Sequence, residues 1–175
     1  VAADITAKKL TLIVPATSNW GFDGLKLLTV FVKDGKGGVG LAGGDLIVNL
    51  DQTAPKAPTN SLLIAAAANG ISAAEKATGV EVVVDLSSTG AKAGDKLEIL
   101  LDGAVLSPTA SATLTNADIS SGSVKLTIPV ASNLGADGTK VFAARLTDVA
   151  GNVGGIGGNL TVSLDTTAPA AYKNT

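Results

Sequence analysis

Residues 3–55 of this chain reappear without a gap as residues 117–169, displaced by 114 positions, so that Asp51 falls on Asp165 and Pro55 on Pro169. Over 1–55 against 115–169 there are 24 identities, concentrated in turns and linkers: Ser18-Asn19-x-Gly21-x-Asp23-Gly24 matches Ser132-Asn133-x-Gly135-x-Asp137-Gly138, Asp34 matches Asp148, and Thr53-Ala54-Pro55 matches Thr167-Ala168-Pro169. Self-similarity at a fixed period marks a repeat array, because each repeat is one structural unit. The register divides the chain into the back half of one repeat with its linker at 1–55, a complete repeat at 56–169 and the start of another at 170–175. A repeat of this length is enough for one hydrophobic core. Since the sequence opens in mid-repeat, it reads as a segment of a longer chain.

Hydrophobic residues make up 46% of the chain but aromatic ones only 3%, so Val, Leu, Ile and Ala must fill the core. The net charge of −2, without a basic patch, argues against nucleic acid as a partner. The longest apolar run, residues 62–68, is far shorter than the roughly 20 residues a membrane helix needs, so direct membrane insertion is not expected. Cys and His are both absent, which excludes disulfides, thiolate and imidazole metal ligands and any Ser-His-Asp triad. An enzyme is therefore not expected, and any bound metal must be held by oxygen.

Short β-rich runs separated by Gly, Asp and Asn turns recur through the complete repeat and predict seven strands, near 61–66, 79–86, 95–101, 104–114, 123–131, 139–147 and 159–165. Apolar and polar residues alternate in Val124-Lys125-Leu126-Thr127-Ile128 and in Leu160-Thr161-Val162-Ser163-Leu164, placing one face inward and one in water. Asp102-Gly103 fits a tight hairpin turn, because both residues tolerate positive φ. Residues 71–77 carry the propensity for a short helical turn between the first two strands. With no βαβ pattern, the fold class is all-β: an immunoglobulin-like antiparallel β-sandwich in tandem repeats. Prolines at 55 and 58 restrict the linker and predict a stiff, straight joint. Gly38-Val39-Gly40-Leu41-Ala42-Gly43 matches the dinucleotide pattern GxGxxG, yet no helix follows it, so it is read as a flexible glycine loop.

Because strands alternate in direction, acidic and amide side chains gather at the two ends of the sandwich. Asp51, Asp95, Asp148 and Asn152 fall at the end that receives the linker, with Asp34 the counterpart of Asp148 in the first copy. Asn69, Glu75, Asp102 and Asp165 fall at the other. Carboxylates drawn into a joint repel one another unless a cation neutralises them, and Ca²⁺ accepts 6–8 oxygen ligands in adaptable geometry. These nine residues are the candidate calcium ligands.

The motif Thr147-Asp-Val-Ala-Gly-Asn152, the strand end Leu164-Asp-Thr-Thr-Ala-Pro169 and the turn Asn69-Gly-Ile-Ser-Ala-Ala-Glu75 together resemble the bacterial immunoglobulin-like extender repeats of giant RTX and biofilm-associated surface adhesins. The resemblance implies repeats rigidified by Ca²⁺ at interdomain joints, with Asp51, Asp148 and Asn152 at one joint and Asn69, Glu75 and Asp165 at the next. It further implies an extracellular, cell-surface chain whose partners are neighbouring repeats of the same polypeptide and which projects a distal binding domain in adhesion and biofilm formation. In the first copy Asp34-Gly-Lys-Gly-Gly departs from the pattern by losing the Asn amide. Two other readings compete. One is a glycan- or ice-binding module, for which Trp20 and Phe22 are the candidate patch. The other is a filament subunit, in which the half-repeat at 1–55 self-associates through strand exchange at its open edges.

Overall fold

The computed structural model describes residues 10–171, so the ends of the opening half-repeat (1–9) and of the closing stub (172–175) lie outside the described residues. The chain divides into two compact units, Val1–Asp51 and Gln52–Thr175.

The first unit is a two-stranded antiparallel sheet of β1 (Gly24–Lys33) and β2 (Val39–Leu50), in register from Gly24 opposite Leu50 to Lys33 opposite Val39, with irregularities around Phe31. Asp34 closes the turn. Its Oδ1 accepts the N–H groups of Lys36 at 2.9 Å and Gly38 at 2.7 Å, while its own N–H donates to the Gly38 carbonyl at 2.9 Å. The expected flexible glycine loop at 38–43 is instead largely strand, with Val39 onward in β2. Glycine weakens a strand on average, but the β1 ladder supplies the hydrogen bonds that hold this one extended.

The second unit is a two-layer β-sandwich. It contains β3 (Ile71–Ser72), α1 (Ala73–Thr78), β4 (Val80–Asp85), β5 (Lys96–Leu101), β6 (Ala104–Val105), β7 (Ser111–Thr113), α2 (Asn116–Ser121), β8 (Ser123–Ile128), β9 (Gly138–Thr147) and β10 (Val153–Asp165). One sheet runs β3-β10-β9-β5-β6, with β7 also pairing β5; the other is the β4-β8 pair, extended by a bridge between Leu63 and Val83. All of these pairings are antiparallel except β3 beside β10. Alternation sends Val80, Val82 and Val84 of β4 and Val124, Leu126 and Ile128 of β8 inward. They meet Leu97 and Ile99 of β5, Phe142, Ala144 and Leu146 of β9, and Val162 and Leu164 of β10 in one core. Phe142 is the largest of the fully buried side chains in an otherwise aliphatic interior.

Several expectations change in detail. The strand at 61–66 shrinks to the Leu63 bridge, because the alanine run Ala65–Ala68 turns into a 3₁₀ helix instead of adding to a sheet. The strand at 104–114 breaks into β6 and β7 around Pro108, which has no N–H to give a ladder. The helical turn at 71–77 is realised as β3 followed by α1, started by a capping box between Ser72 and Glu75. A second short helix, α2, starts on the equivalent box between Thr115 and Asp118. Asp102 (φ 50°) and Gly103 (φ 82°) form the two-residue turn between β5 and β6, as their tolerance of positive φ requires.

Across β5 and β9, Glu98 receives Lys96 Nζ at 2.7 Å and Arg145 Nη2 at 2.9 Å. The hydrogen bonds from Lys96 and then Arg145 hold its carboxyl below its ordinary value despite desolvation. Phe142→Ala is expected to cost about 3–5 kcal/mol, since no other aromatic side chain lies in the core to fill the void; urea denaturation of the chain measures it.

Candidate functional site

The polar chemistry of the second unit collects at its two ends, where the chain enters and leaves the sandwich. At entry, residues 55–60 lie along β10. A Cβ built on Gly154 would sit 2.4 Å from the Pro55 carbonyl oxygen, and one on Gly157 would sit 2.3 Å from that of Pro58. Neither glycine has a positive φ, so glycine is needed there for space and not for backbone geometry. Gly158 serves both needs: its φ is 66°, and its carbonyl accepts the Leu62 N–H at 2.9 Å.

The other flank of this entry segment is tied to the loop after β4. Lys56 N–H donates to the Thr89 carbonyl at 2.9 Å, Thr59 Oγ1 to Ser88 Oγ at 2.8 Å, and Asn60 Nδ2 to Asp85 Oδ2 at 2.7 Å. Asp85 Oδ1 also accepts the Ser87 N–H at 2.7 Å. Hydrogen bonds from Ser87, and then from Asn60, hold the Asp85 carboxyl below its ordinary value.

At exit, Asp137 takes hold of the departing strand. Its Oδ1 accepts the Thr166 N–H at 2.9 Å and the Thr166 hydroxyl at 2.7 Å, and its Oδ2 accepts the Thr167 hydroxyl at 2.7 Å. The threonine hydrogen bonds, Thr167 foremost, lower its pKa to about 2. Asp165 Oδ1 adds a bond from the Thr167 N–H at 3.1 Å.

The residues named from the sequence are placed as follows. Asp148 closes the β9–β10 turn: its Oδ1 accepts the Asn152 N–H and its Oδ2 the Asn152 Nδ2, both at 2.8 Å. Desolvation pushes its carboxyl up, yet the Asn152 side chain and the N–H groups of Asn152, Gly151 and Ala150 together hold it below its ordinary value. The same loop recurs on Asp34, with the Gly38 N–H in place of Asn152's, so loss of the side-chain amide in the first copy leaves the backbone arrangement intact. Asp95 is buried and accepts the Lys92 N–H at 2.8 Å. Asp102 Oδ1 accepts the Val141 N–H at 2.9 Å, locking the β5–β6 turn to β9.

Glu75 Oε2 accepts the Ser72 N–H at 2.9 Å and hydroxyl at 2.8 Å, bonds that hold its carboxyl below its ordinary value. Asn69 is exposed at the end of the 3₁₀ turn, its N–H donating to the Ala66 carbonyl. Asp51 closes the first unit and is half-buried.

Among the described residues no three carboxylates come together in a group that could hold a metal ion. Asp34, Asp148 and Glu75 accept hydrogen bonds from their own turns, whereas Asp85, Asp102 and Asp137 also accept from, or bind only, residues distant in sequence. Asp137, which strand alternation also places at the exit end, was not among the nine candidate ligands, and the entry glycines were not among the candidates at all. The recurrence of Asp23 and Asp137 in a shared Ser-Asn-x-Gly-x-Asp-Gly motif was the signal for the former.

A scan against protein-family models finds no match, and a search of curated proteins finds none either. By structure, the chain is similar to immunoglobulin-like regions of bacterial adhesins. One is described as a Ca²⁺-stabilized adhesin that helps an Antarctic bacterium reach out and bind ice: identity is 21%, the TM-score 0.43, and the match covers 85% of this chain and 33% of that one. A single bacterial immunoglobulin-like domain of the M. primoryensis ice-binding adhesin matches at 21% identity and a TM-score of 0.34, over 63% of this chain and all of the other. The D00-D0 region of intimin matches at 14% identity and a TM-score of 0.38, covering 87% and 70%. The chain spans a third of the first of these.

Two measurements probe the ends. Gly157→Val should expel the entry segment, so hydrogen exchange at the Lys56 and Leu62 amides should lose protection while β8 keeps it; unchanged protection at Lys56 would show that the close approach is dispensable. At exit, a carboxyl with a lowered folded pKa stabilises the attachment above its unfolded pKa of 3.8 and stops doing so as pH falls through the folded value near 2. Protection of the Thr166 amide should accordingly fade between about pH 4 and pH 2, and Asp137→Ala should abolish it at neutral pH.

Proposed function

We propose that this chain is a spacer segment of a bacterial surface adhesin, in which sandwiches strung in tandem hold a distal binding domain away from the cell for adhesion and biofilm formation. The observation that carries the reading is how little linker is left free. Thr167 is bonded to Asp137 at the exit of the complete repeat, and Pro55, the counterpart of Pro169, is seated on Gly154 at its entry. Where such an exit runs into such an entry, the single position of Ala54 or Ala168 separates the two attachments. A free Pro/Thr/Ala linker would let successive domains swing, whereas one held at both ends transmits orientation from one domain to the next.

The lack of His and Cys and the use of acids as turn closures support a mechanical, non-enzymatic role. On this reading the chain is extracellular and its partners are neighbouring repeats. Calcium is a separate element of the proposal. Its donors would be Asp51, Asp148 and Asn152 at one seam and Asn69, Glu75 and Asp165 at the next. On this reading the ion is shared between successive repeats, with amide and backbone oxygens adding to the carboxylates.

Small-angle scattering of one, two and three tandem copies of 56–169 tests both elements. The maximum dimension should grow almost linearly with copy number, and Gly157→Val with Asp137→Ala in every copy should shorten and broaden the distribution. Coil-like growth in the unmodified array would overturn the spacer reading. Chelation should shorten the array if calcium bridges the seam; identical dimensions with calcium and with chelator would leave the docked linker as the stiffening element and remove calcium from it.

A further inference from the structure

Asn69-Gly70 is the one Asn-Gly dipeptide of the chain. An asparagine followed by glycine carries a reaction of its own: the nitrogen of the next residue can attack the side-chain amide carbon, and glycine leaves that nitrogen without a Cβ standing over it. In a folded chain the reaction turns on how firmly the amide and that nitrogen are held.

Most other described asparagines have their amides tied. Asn19 accepts the Gly21 N–H at 2.9 Å, Asn60 donates to Asp85 at 2.7 Å, Asn133 accepts the Gly135 N–H at 2.9 Å, and Asn152 donates to Asp148 at 2.8 Å. Asn49, Asn116 and Asn159 stand inside β2, α2 and β10 with Leu or Ala after them. The Asn69 side chain, by contrast, is exposed and enters no hydrogen bond among the described residues, and the Gly70 N–H donates none.

The backbone ahead of the pair is weakly anchored as well. The 3₁₀ turn Ala65–Ala68 has no side-chain cap at its start, and its last bond, from the Asn69 N–H to the Ala66 carbonyl, is long at 3.3 Å. With Asn69 at φ −130° and ψ 1°, rotation about its Cα–C bond brings the Gly70 nitrogen onto Cγ, and the low local stability of so short a turn permits that rotation. Beyond the pair the chain is fixed. A Cβ on Gly70 would sit 3.1 Å from the Ser163 carbonyl oxygen, and the fully buried Ile71 pairs with Leu164.

We propose that Asn69 is a self-modifying site, which deamidates without an enzyme and places a carboxylate at the turn before β3. Gly70 N forms a bond to Asn69 Cγ as the Cγ–Nδ2 bond breaks. The Gly70 amide proton passes through water to the departing nitrogen, and ammonia leaves a cyclic imide behind. Water then opens the ring at one of its two carbonyls. Opening at Cγ restores the main chain and yields aspartate; opening at the main-chain carbonyl yields isoaspartate, whose main chain runs through Cγ and is one atom longer. Water is consumed, ammonia is released, one negative charge is gained, and nothing is oxidised or reduced. The chemistry is independent of any cation at a seam.

The two products differ in their effect on the fold. Aspartate keeps the backbone and leaves Gly70 seated. Isoaspartate inserts its extra atom directly ahead of Gly70 and Ile71, which Ser163 and Leu164 hold in place, so β3 is pushed out of register with β10.

The test incubates the full chain at neutral and at mildly alkaline pH and follows it by ion exchange. A species with one more negative charge should accumulate, faster at the higher pH because base removes the Gly70 amide proton. Fragmentation of the tryptic peptide 57–76 should place the change from amide to acid at Asn69 and not at Asn60. Amide exchange at Ile71 and Ser72 should quicken in the isoaspartate fraction and stay slow in the aspartate fraction. Asn69→Gln, whose longer side chain closes the ring far less readily, should lose the acidic species. The proposal is overturned if the folded chain keeps its charge over a time in which a synthetic peptide of residues 65–75 converts completely. It is overturned equally if the new acid lies at another asparagine, or if Asn69→Gln gains charge as fast as the unmodified chain.

Discussion

The close passage of the entry segment over β10 is the constraint on which the rest of this structure depends. Two backbones can approach this closely only where no Cβ intervenes, and Gly154 and Gly157 provide that room. The approach fixes where residues 55–60 lie, and so lets Lys56, Thr59 and Asn60 reach the Thr89, Ser88 and Asp85 partners on the other flank. It also accounts for the short first strand. With the entry segment running beside β10, the chain needs only the Leu63 bridge to join the opposite sheet before the alanine turn carries it to β3. Two prolines suit such a segment, since it gives few main-chain donors to a ladder and is held by shape and by side chains.

The many acids of the chain follow from the same economy of form. A sandwich of short strands has many turns, and each turn leaves backbone N–H groups that a nearby carboxylate can accept. Asp34, Asp102 and Asp148 close strand connections, Glu75 and Asp118 cap short helices, and Asp85 and Asp137 hold the segments entering and leaving. A carboxylate offers about four lone-pair sites, so one that accepts a single hydrogen bond, as Asp102 does, keeps capacity for a cation, while Asp137 with three bonds keeps little. Acidic ends of a β-sandwich are therefore not in themselves evidence of calcium, and an ion at a seam would compete with bonds the turns already make.

What the sequence disclosed and what it hid divide along the range of the interactions concerned. The repeat, the alternation in β8 and β10, the Asp102-Gly103 turn and the helical turn after Ser72 are written in neighbouring residues, and the two-layer fold was legible from them. Helix α2 was equally local, since Thr115 and Asp118 spell a capping box, but it lay where a strand was expected to give way to a loop. The glycines at 38–43 read as a flexible loop, and those at 154–158 fall outside the strand expected at 159–165, because the reason for the β10 glycines lies about a hundred residues away, in the carbonyls of Pro55 and Pro58. Candidate ligands were chosen by residue type and by the end of the sandwich they occupy. Type and end do not say whether a carboxylate points toward its own backbone, and that is the question on which a metal site turns.

The two attachments of the linker differ in kind, and so does their response to acid and salt. The entry is held by shape and by mostly neutral hydrogen bonds, with Asp85 its one charged partner, so acid and salt reach little of it. The exit rests on one exposed carboxylate whose bonds to Thr166 and Thr167 need it ionised. With a pKa near 2, that carboxylate stays charged at and well below neutral pH, and screening by salt weakens its short hydrogen bonds far less than it would a distant charge pair. The entry segment is thus held by close packing against glycine and the exit segment by a persistently ionised acceptor. Neither source requires a cation to be present, so the docking of the linker does not depend on one.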